Sequence, residues 1–114
     1  MEEEQVIMQL IMNGGNARSL SLKAIQKAEE KDFQEARNLL HQANEAMNLA
    51  HEAQTKLIQD EIRNGPVKLS LLMIHAQDHV MNAMTVKDLA GYIVTAKEDL
   101  AVLQLENEKE RVPK

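Results

Sequence analysis

The sequence predicts an all-α fold, an antiparallel up-down-up three-helix bundle, on three observations. The chain has one Phe, one Tyr and no Trp, so its core must be built from Leu, Ile, Val, Ala and seven Met, which suit helix-on-helix packing better than a sheet. Apolar residues recur three and four apart over long stretches, the period of one helix face. The interruptions between those stretches are very short, and short turns make neighbouring helices antiparallel. A hydrophobic content of 44% in 114 residues supports one modest core. We therefore expect one domain over residues 1–105 and a charged tail over residues 106–114 that frays.

The first helix is expected over residues 3–30. Glu2, Glu3 and Glu4 suit its first turn, where carboxylates face the positive end of the helix dipole. Val6, Ile7, Leu10 and Ile11 begin its apolar face, and Ala17, Leu20, Ala24 and Ala28 continue it. Gly14 and Gly15 interrupt the pattern at about 1 kcal/mol each relative to Ala. They mark either close approach by another helix or a kink that shapes a site.

A second helix, over residues 33–63, follows from Asp32 and Glu35, which have capping-box spacing. Ala36, Leu39, Leu40, Ala43, Ala46, Met47, Ala50, Ala53 and Leu57 form its seam, and so much Ala implies close packing. Asn64-Gly65-Pro66 ends it, with Gly65 suited to a left-handed cap and Pro66 unable to extend the helix. The third helix is expected over residues 68–105, with Ile93, Ala96 and Leu100 continuing the face that carries His75.

That helix holds the functional candidates. On a helical projection His75, Asp78 and His79 share an arc of roughly 100° with Leu71, Leu72, Asn82, Val86, Leu89, Ala90 and Ile93. Met73, Val80 and Met84 lie opposite, with Ile74 and Met81 on a flank. A helix apolar all round must be covered all round. Two partner helices are too few, so self-association is expected, with Met73, Val80 and Met84 as the surplus. From the residues alone His75 is either a core imidazole satisfied by a backbone carbonyl or a reactive group. Asp78 is within reach of His75 or His79 in the same chain. His41 and His51, on the second helix, read as a surface and a structural residue without an acidic partner one turn away.

Composition narrows the function. The absence of cysteine rules out a disulfide frame, a thiolate zinc site and sulfur nucleophiles. The formal charge of −5, with no dense Lys/Arg cluster, disfavours nucleic acid and anionic lipid as partners. An acidic start and no apolar run of spanning length suggest a cytoplasmic protein.

The run Ser70-Leu71-Leu72-Met73-Ile74-His75-Ala76-Gln77-Asp78-His79-Val80-Met81, continuing Ala83-Met84-Thr85-Val86-Lys87-Asp88-Leu89-Ala90, closely resembles the signature of the lactose/cellobiose-type enzyme IIA of the bacterial phosphoenolpyruvate:sugar phosphotransferase system. Gly15-Asn16-Ala17-Arg18-Ser19, Ala50-His51 and Gln54-Thr55-Lys56-Leu57-Ile58-Gln59 extend the likeness over about residues 6–105.

The resemblance implies that His75 carries the phosphoryl group, that His79 supports transfer, and that Gln77 assists. Gln77 points about 200° away from His75, so it would act across a subunit boundary. It implies a homotrimer, a nine-helix bundle, in which Asp78 meets its two copies on the threefold axis around one Mg²⁺, an oxygen-ligated structural ion. The donor would be the histidine-containing phosphocarrier protein and the acceptor a cysteine of enzyme IIB. The cargo would be a β-linked disaccharide such as cellobiose, chitobiose or lactose, and the membrane would be met only through the sugar permease. Two other classes stay open: a metal-dependent helical-bundle hydrolase using His75, Asp78 and His79 as ligands, and a non-catalytic helical interaction module.

Overall fold

A computed structural model of the chain describes residues 2–111, and these form three helices, α1 (Glu2–Glu29), α2 (Phe33–Asn64) and α3 (Leu71–Arg111). They run up, down and up, so α1 and α3 are parallel and α2 opposes both. The three-helix expectation holds, and the ends of the helices show why each stops where it does.

The α1–α2 turn is a Schellman closure. The Asp32 N–H donates to the Lys27 carbonyl at 2.9 Å and the Lys31 N–H to the Ala28 carbonyl at 3.0 Å, with Lys31 at φ 65°. Asp32 then caps α2, its Oδ1 accepting from the Glu35 N–H at 3.2 Å. At the far end Gly65 has the positive φ expected of it, 87°, but its ψ of 179° is extended and not left-handed helical. The Gly65 N–H donates to the Glu61 carbonyl at 3.0 Å.

The third helix begins at Leu71, later than the expected residue 68. Ser70 is the reason: its Oγ accepts from the Met73 N–H at 3.1 Å and its carbonyl from the Ile74 N–H at 3.0 Å, which is N-cap geometry. The helix then runs through the expected end at residue 105 to Arg111, into the stretch read as a tail. The rest of that tail, residues 112–114, lies outside the described residues, as does Met1.

The alanine seam of α2 is buried from Ala36 to Leu57, with Leu40 alone of the expected residues only half-buried. One core cluster joins Ile7, Leu10, Met47, Ala50, Leu57, Met73 and Val80, and a second near the α1–α2 turn joins Ala24, Ala28, Ala36, Leu39 and Val94. Buried Ser21 donates to the Ala17 carbonyl at 2.7 Å, so it leaves no unsatisfied hydroxyl. On the surface Arg37 of α2 pairs with Glu98 of α3, which holds the Glu98 carboxyl below its usual range through that hydrogen bond. The pair is exposed and contributes little to stability.

The inward face of α3 corrects the sequence reading. Met73 is 5% exposed, Val80 is fully buried, and Met84 packs half-buried against the same cluster. These three are not the surplus apolar surface; they are the side of α3 that α1 and α2 cover. The uncovered side is the one bearing His75, where Leu71 is 84% and Leu72 50% exposed, with Leu89, Ile93, Leu100 and Leu103 exposed further along. A helix apolar on both sides gives a periodicity that does not say which side faces in.

Leu10 is fully enclosed at the centre of the larger cluster. Leu10→Ala should lower the unfolding free energy by about 2–5 kcal/mol, read from urea denaturation. A loss below about 1 kcal/mol would show that the bundle collapses around the missing side chain.

Candidate functional site

The Ser70 cap fixes the start of α3, and from there His75 and His79 fall one turn apart on the same ridge. Their rings stack with centroids 6.1 Å apart and planes inclined by 23°. His75 is exposed and His79 half-buried. A core imidazole held by a backbone carbonyl is therefore not what His75 is. Its ring stands at the surface with a second imidazole beside it.

The half-burial of His79 comes from α1. That helix runs unbroken through Gly14 and Gly15, so the pair marks close approach and not an interruption. A Cβ placed on Gly15 would lie 3.1 Å from His79 Nε2, and one on Gly14 would lie 3.4 Å from His79 Cδ2. The distal edge of the imidazole rests on bare backbone.

Beyond His79 an open cleft of about 410 Å³ is lined by Arg18, His79, Asn82, Thr85 and Val86. In the sequence Arg18 stands out only as part of the Gly15–Ser19 stretch. The signal that could have placed it is its position one turn beyond Gly14–Gly15 on the same face of α1.

Asp78 is exposed on the uncovered side of α3. Among the described residues no ion pair joins it to His75 or His79, so the same-chain pairing left open by the sequence is not formed. Nor do three or more His, Asp or Glu side chains gather to hold a metal within the described residues. One chain offers one carboxylate at this place.

Gln77 turns away from the histidines, as its projection requires. It is half-buried, and its Oε1 accepts from Gln54 Nε2 of α2 at 2.7 Å. The structure thus brings His75 and His79 together, sets Asp78 beside them, and ties Gln77 to the opposite flank. Gln54 follows buried Ala53 on α2, and its side chain reaches α3 through this bond to Gln77.

Of the two remaining histidines, His41 is at the surface as expected. His41 does have an acid one turn on, for its Nε2 lies 2.8 Å from Glu45 Oε1 on the exposed face of α2. His51 is exposed and not structural, because Ala50 and Ala53 take the inward positions around it.

Residues 5–98 match the family model described as "PTS system, Lactose/Cellobiose specific IIA subunit". The chain is 48% identical over 99 residues to the lichenan-specific phosphotransferase enzyme IIA component of Bacillus subtilis, covering 87% of this chain and 90% of that one. Among solved structures it is similar to the cellobiose-specific enzyme IIA of Bacillus anthracis, with a TM-score of 0.86 and 45% identity over 90% of this chain and 94% of that one. It is also similar to the chitobiose IIA in the IIA–HPr complex of Escherichia coli, with a TM-score of 0.75 and 40% identity over 86% and 95% of the two chains.

Proposed function

Because this chain belongs to the lactose/cellobiose-specific IIA subunit family of the phosphotransferase system, we propose that His75 is its phosphoryl carrier, charged by the phosphocarrier protein HPr and discharged to a cysteine of enzyme IIB. The family's members are phosphotransferase components that work through a phosphohistidine. The observation that carries the assignment to His75 is its exposure beside the stacked ring of His79.

Neutral imidazole suits the task because its ordinary pKa near 6.5 leaves a nucleophilic nitrogen available at neutral pH. In the first step a lone pair of His75 forms a P–N bond as the donor's P–N bond breaks, the donor nitrogen keeping that electron pair. In the second, a thiolate forms a P–S bond as the bond to His75 breaks and the pair returns to the ring. No electrons are gained or lost overall, so the protein needs no redox partner. Carrying the group covalently divides one transfer into two easier ones.

Phosphoryl transfer through a loose transition state asks for alignment and for donors to three equatorial oxygens. In this reading His79, one turn from His75, gives one such hydrogen bond. Gln77 is held by Gln54 in its own chain, so any part it plays is toward the His75 of another subunit.

The same reading includes a homotrimer. The exposed apolar stripe through Leu72, Leu89, Ile93 and Leu100 is a surface that further copies of the chain would cover. Three α3 helices meeting along it would bring three Asp78 carboxylates together, an all-oxygen donor set that fits Mg²⁺ and not a thiolate-preferring metal. Asp78 would hold that ion, whose part is to offset like charge. By the same reading the protein works in the cytoplasm in uptake of a β-linked disaccharide of the cellobiose or chitobiose type; no helix among the described residues is long and apolar enough to cross a membrane.

The test is a relay. Enzyme I, HPr, this protein and its cognate IIB are incubated with labelled phosphoenolpyruvate, and the label is expected on a cysteine of IIB only when this chain is present. Label that stops at HPr would remove the carrier role, and label that stops on this chain would remove IIB as acceptor.

A further inference from the structure

Gly15 sits in the middle of α1 at an ordinary helical φ, where no positive-φ backbone calls for glycine. Glycine there weakens the helix relative to alanine. What sets the position apart is its neighbour. A Cβ on Gly15 would stand 3.1 Å from His79 Nε2 and 4.0 Å from Cε1, whereas one on Gly91, the glycine of α3, would meet nothing within 4 Å. His79 therefore rests against the bare backbone of α1, with the ring of His75 as its neighbour one turn back along α3, centroids 6.1 Å apart.

We propose that Gly15 is a positioning residue for phosphoryl transfer: its missing Cβ seats the His79 imidazole against α1, and this sets the distance and tilt at which that ring meets a phosphoryl group on His75. The proposal rests on the reading that His75 carries the group and His79 assists it. The contact is tight enough to matter, since a methyl at 3.1 Å drives the imidazole aside by a few tenths of an ångström. His79 has one direction in which to yield, away from α1, because the glycine pair blocks the other. Transfer rates are steep in such displacements, with about 100-fold lost per ångström of misplacement. A shift of a few tenths therefore corresponds to about a threefold to tenfold slowing.

Stability and activity separate the proposal from a purely structural role. An alanine at residue 15 strengthens α1 as a helix while disturbing one side chain at its surface. Gly15→Ala should melt no lower than wild type, accept phosphate on His75, and pass it on about threefold to tenfold more slowly. The ring resonances of His79, observed by NMR in the unphosphorylated protein, should move.

A double-mutant cycle supplies the deciding measurement. On a His79→Ala background Gly15→Ala should slow transfer no further, because the ring it displaces is gone. If Gly15→Ala melts lower than wild type, the double variant should recover that loss for the same reason. Wild-type transfer by Gly15→Ala overturns the proposal, as do unmoved His79 resonances, a slowing that persists in full without His79, or a melting loss that the double variant keeps. Failure of the underlying carrier reading looks different: His75→Ala would take label, whatever stands at residue 15.

Discussion

With phosphoenolpyruvate, enzyme I and HPr, the wild-type chain is expected to take one acid-labile, base-stable phosphoryl group per protomer, and His75→Ala none. The loss should be complete, because covalent carriage has no substitute when the accepting nitrogen is removed. His75 is on the surface, so alanine there leaves no cavity and the variant should melt close to wild type. His79→Ala makes the contrasting case. It removes a neighbouring donor and leaves the acceptor, so label should still form, with transfer slowed by up to about 100-fold. Undiminished labelling of His75→Ala would remove the assignment. A folded His79→Ala that takes no label would instead exchange the roles of the two histidines.

The HAQDH block, from His75 to His79, is distinctive enough to mark the candidate site in the sequence, and the three helices are legible there because their faces repeat at a helical period. The alanine seam of α2 is buried as its spacing implied, except that Leu40 is only half-buried. Less legible was whatever depended on three-dimensional neighbours. Ser70 begins α3 because its hydroxyl caps Met73, a local signal passed over in favour of the hydrophobic pattern. The inward side of α3 was misread because both sides are apolar, and only the positions of α1 and α2 decide that Val80 is enclosed while Leu72 is bare. Gly14 and Gly15 were recognised as unusual, but the imidazole they accommodate lies 64 residues or more along the chain. Gln77 was placed away from His75 by its projection, while its bond to Gln54 needed α2 in place.

The misread face bears directly on Asp78, since the side of α3 left uncovered is the side on which that carboxylate stands. Three copies brought to an axis at about 4 Å would repel by about 4 kcal/mol per pair at an effective dielectric near 20. A cation offsets that repulsion, but the carboxylates still lose hydration that an apolar side chain would not need. Replacing enclosed ionic groups by well-packed hydrophobic ones is often neutral or stabilising by about 1–4 kcal/mol. Asp78→Leu should therefore keep the trimer, with an equal or higher melting temperature, and bind no metal. Chelation of the wild type acts in the opposite sense, because it removes the cation and leaves the charges, so the melting temperature should fall and sedimentation should show partial dissociation. The two treatments share the loss of metal and differ only in the charges left behind, which makes their opposite signs diagnostic. If chelator leaves the wild type unchanged while Asp78→Leu sediments as a monomer, Asp78 is not an axial ligand, and its carboxylate instead makes a specific contact across the subunit boundary that leucine cannot replace.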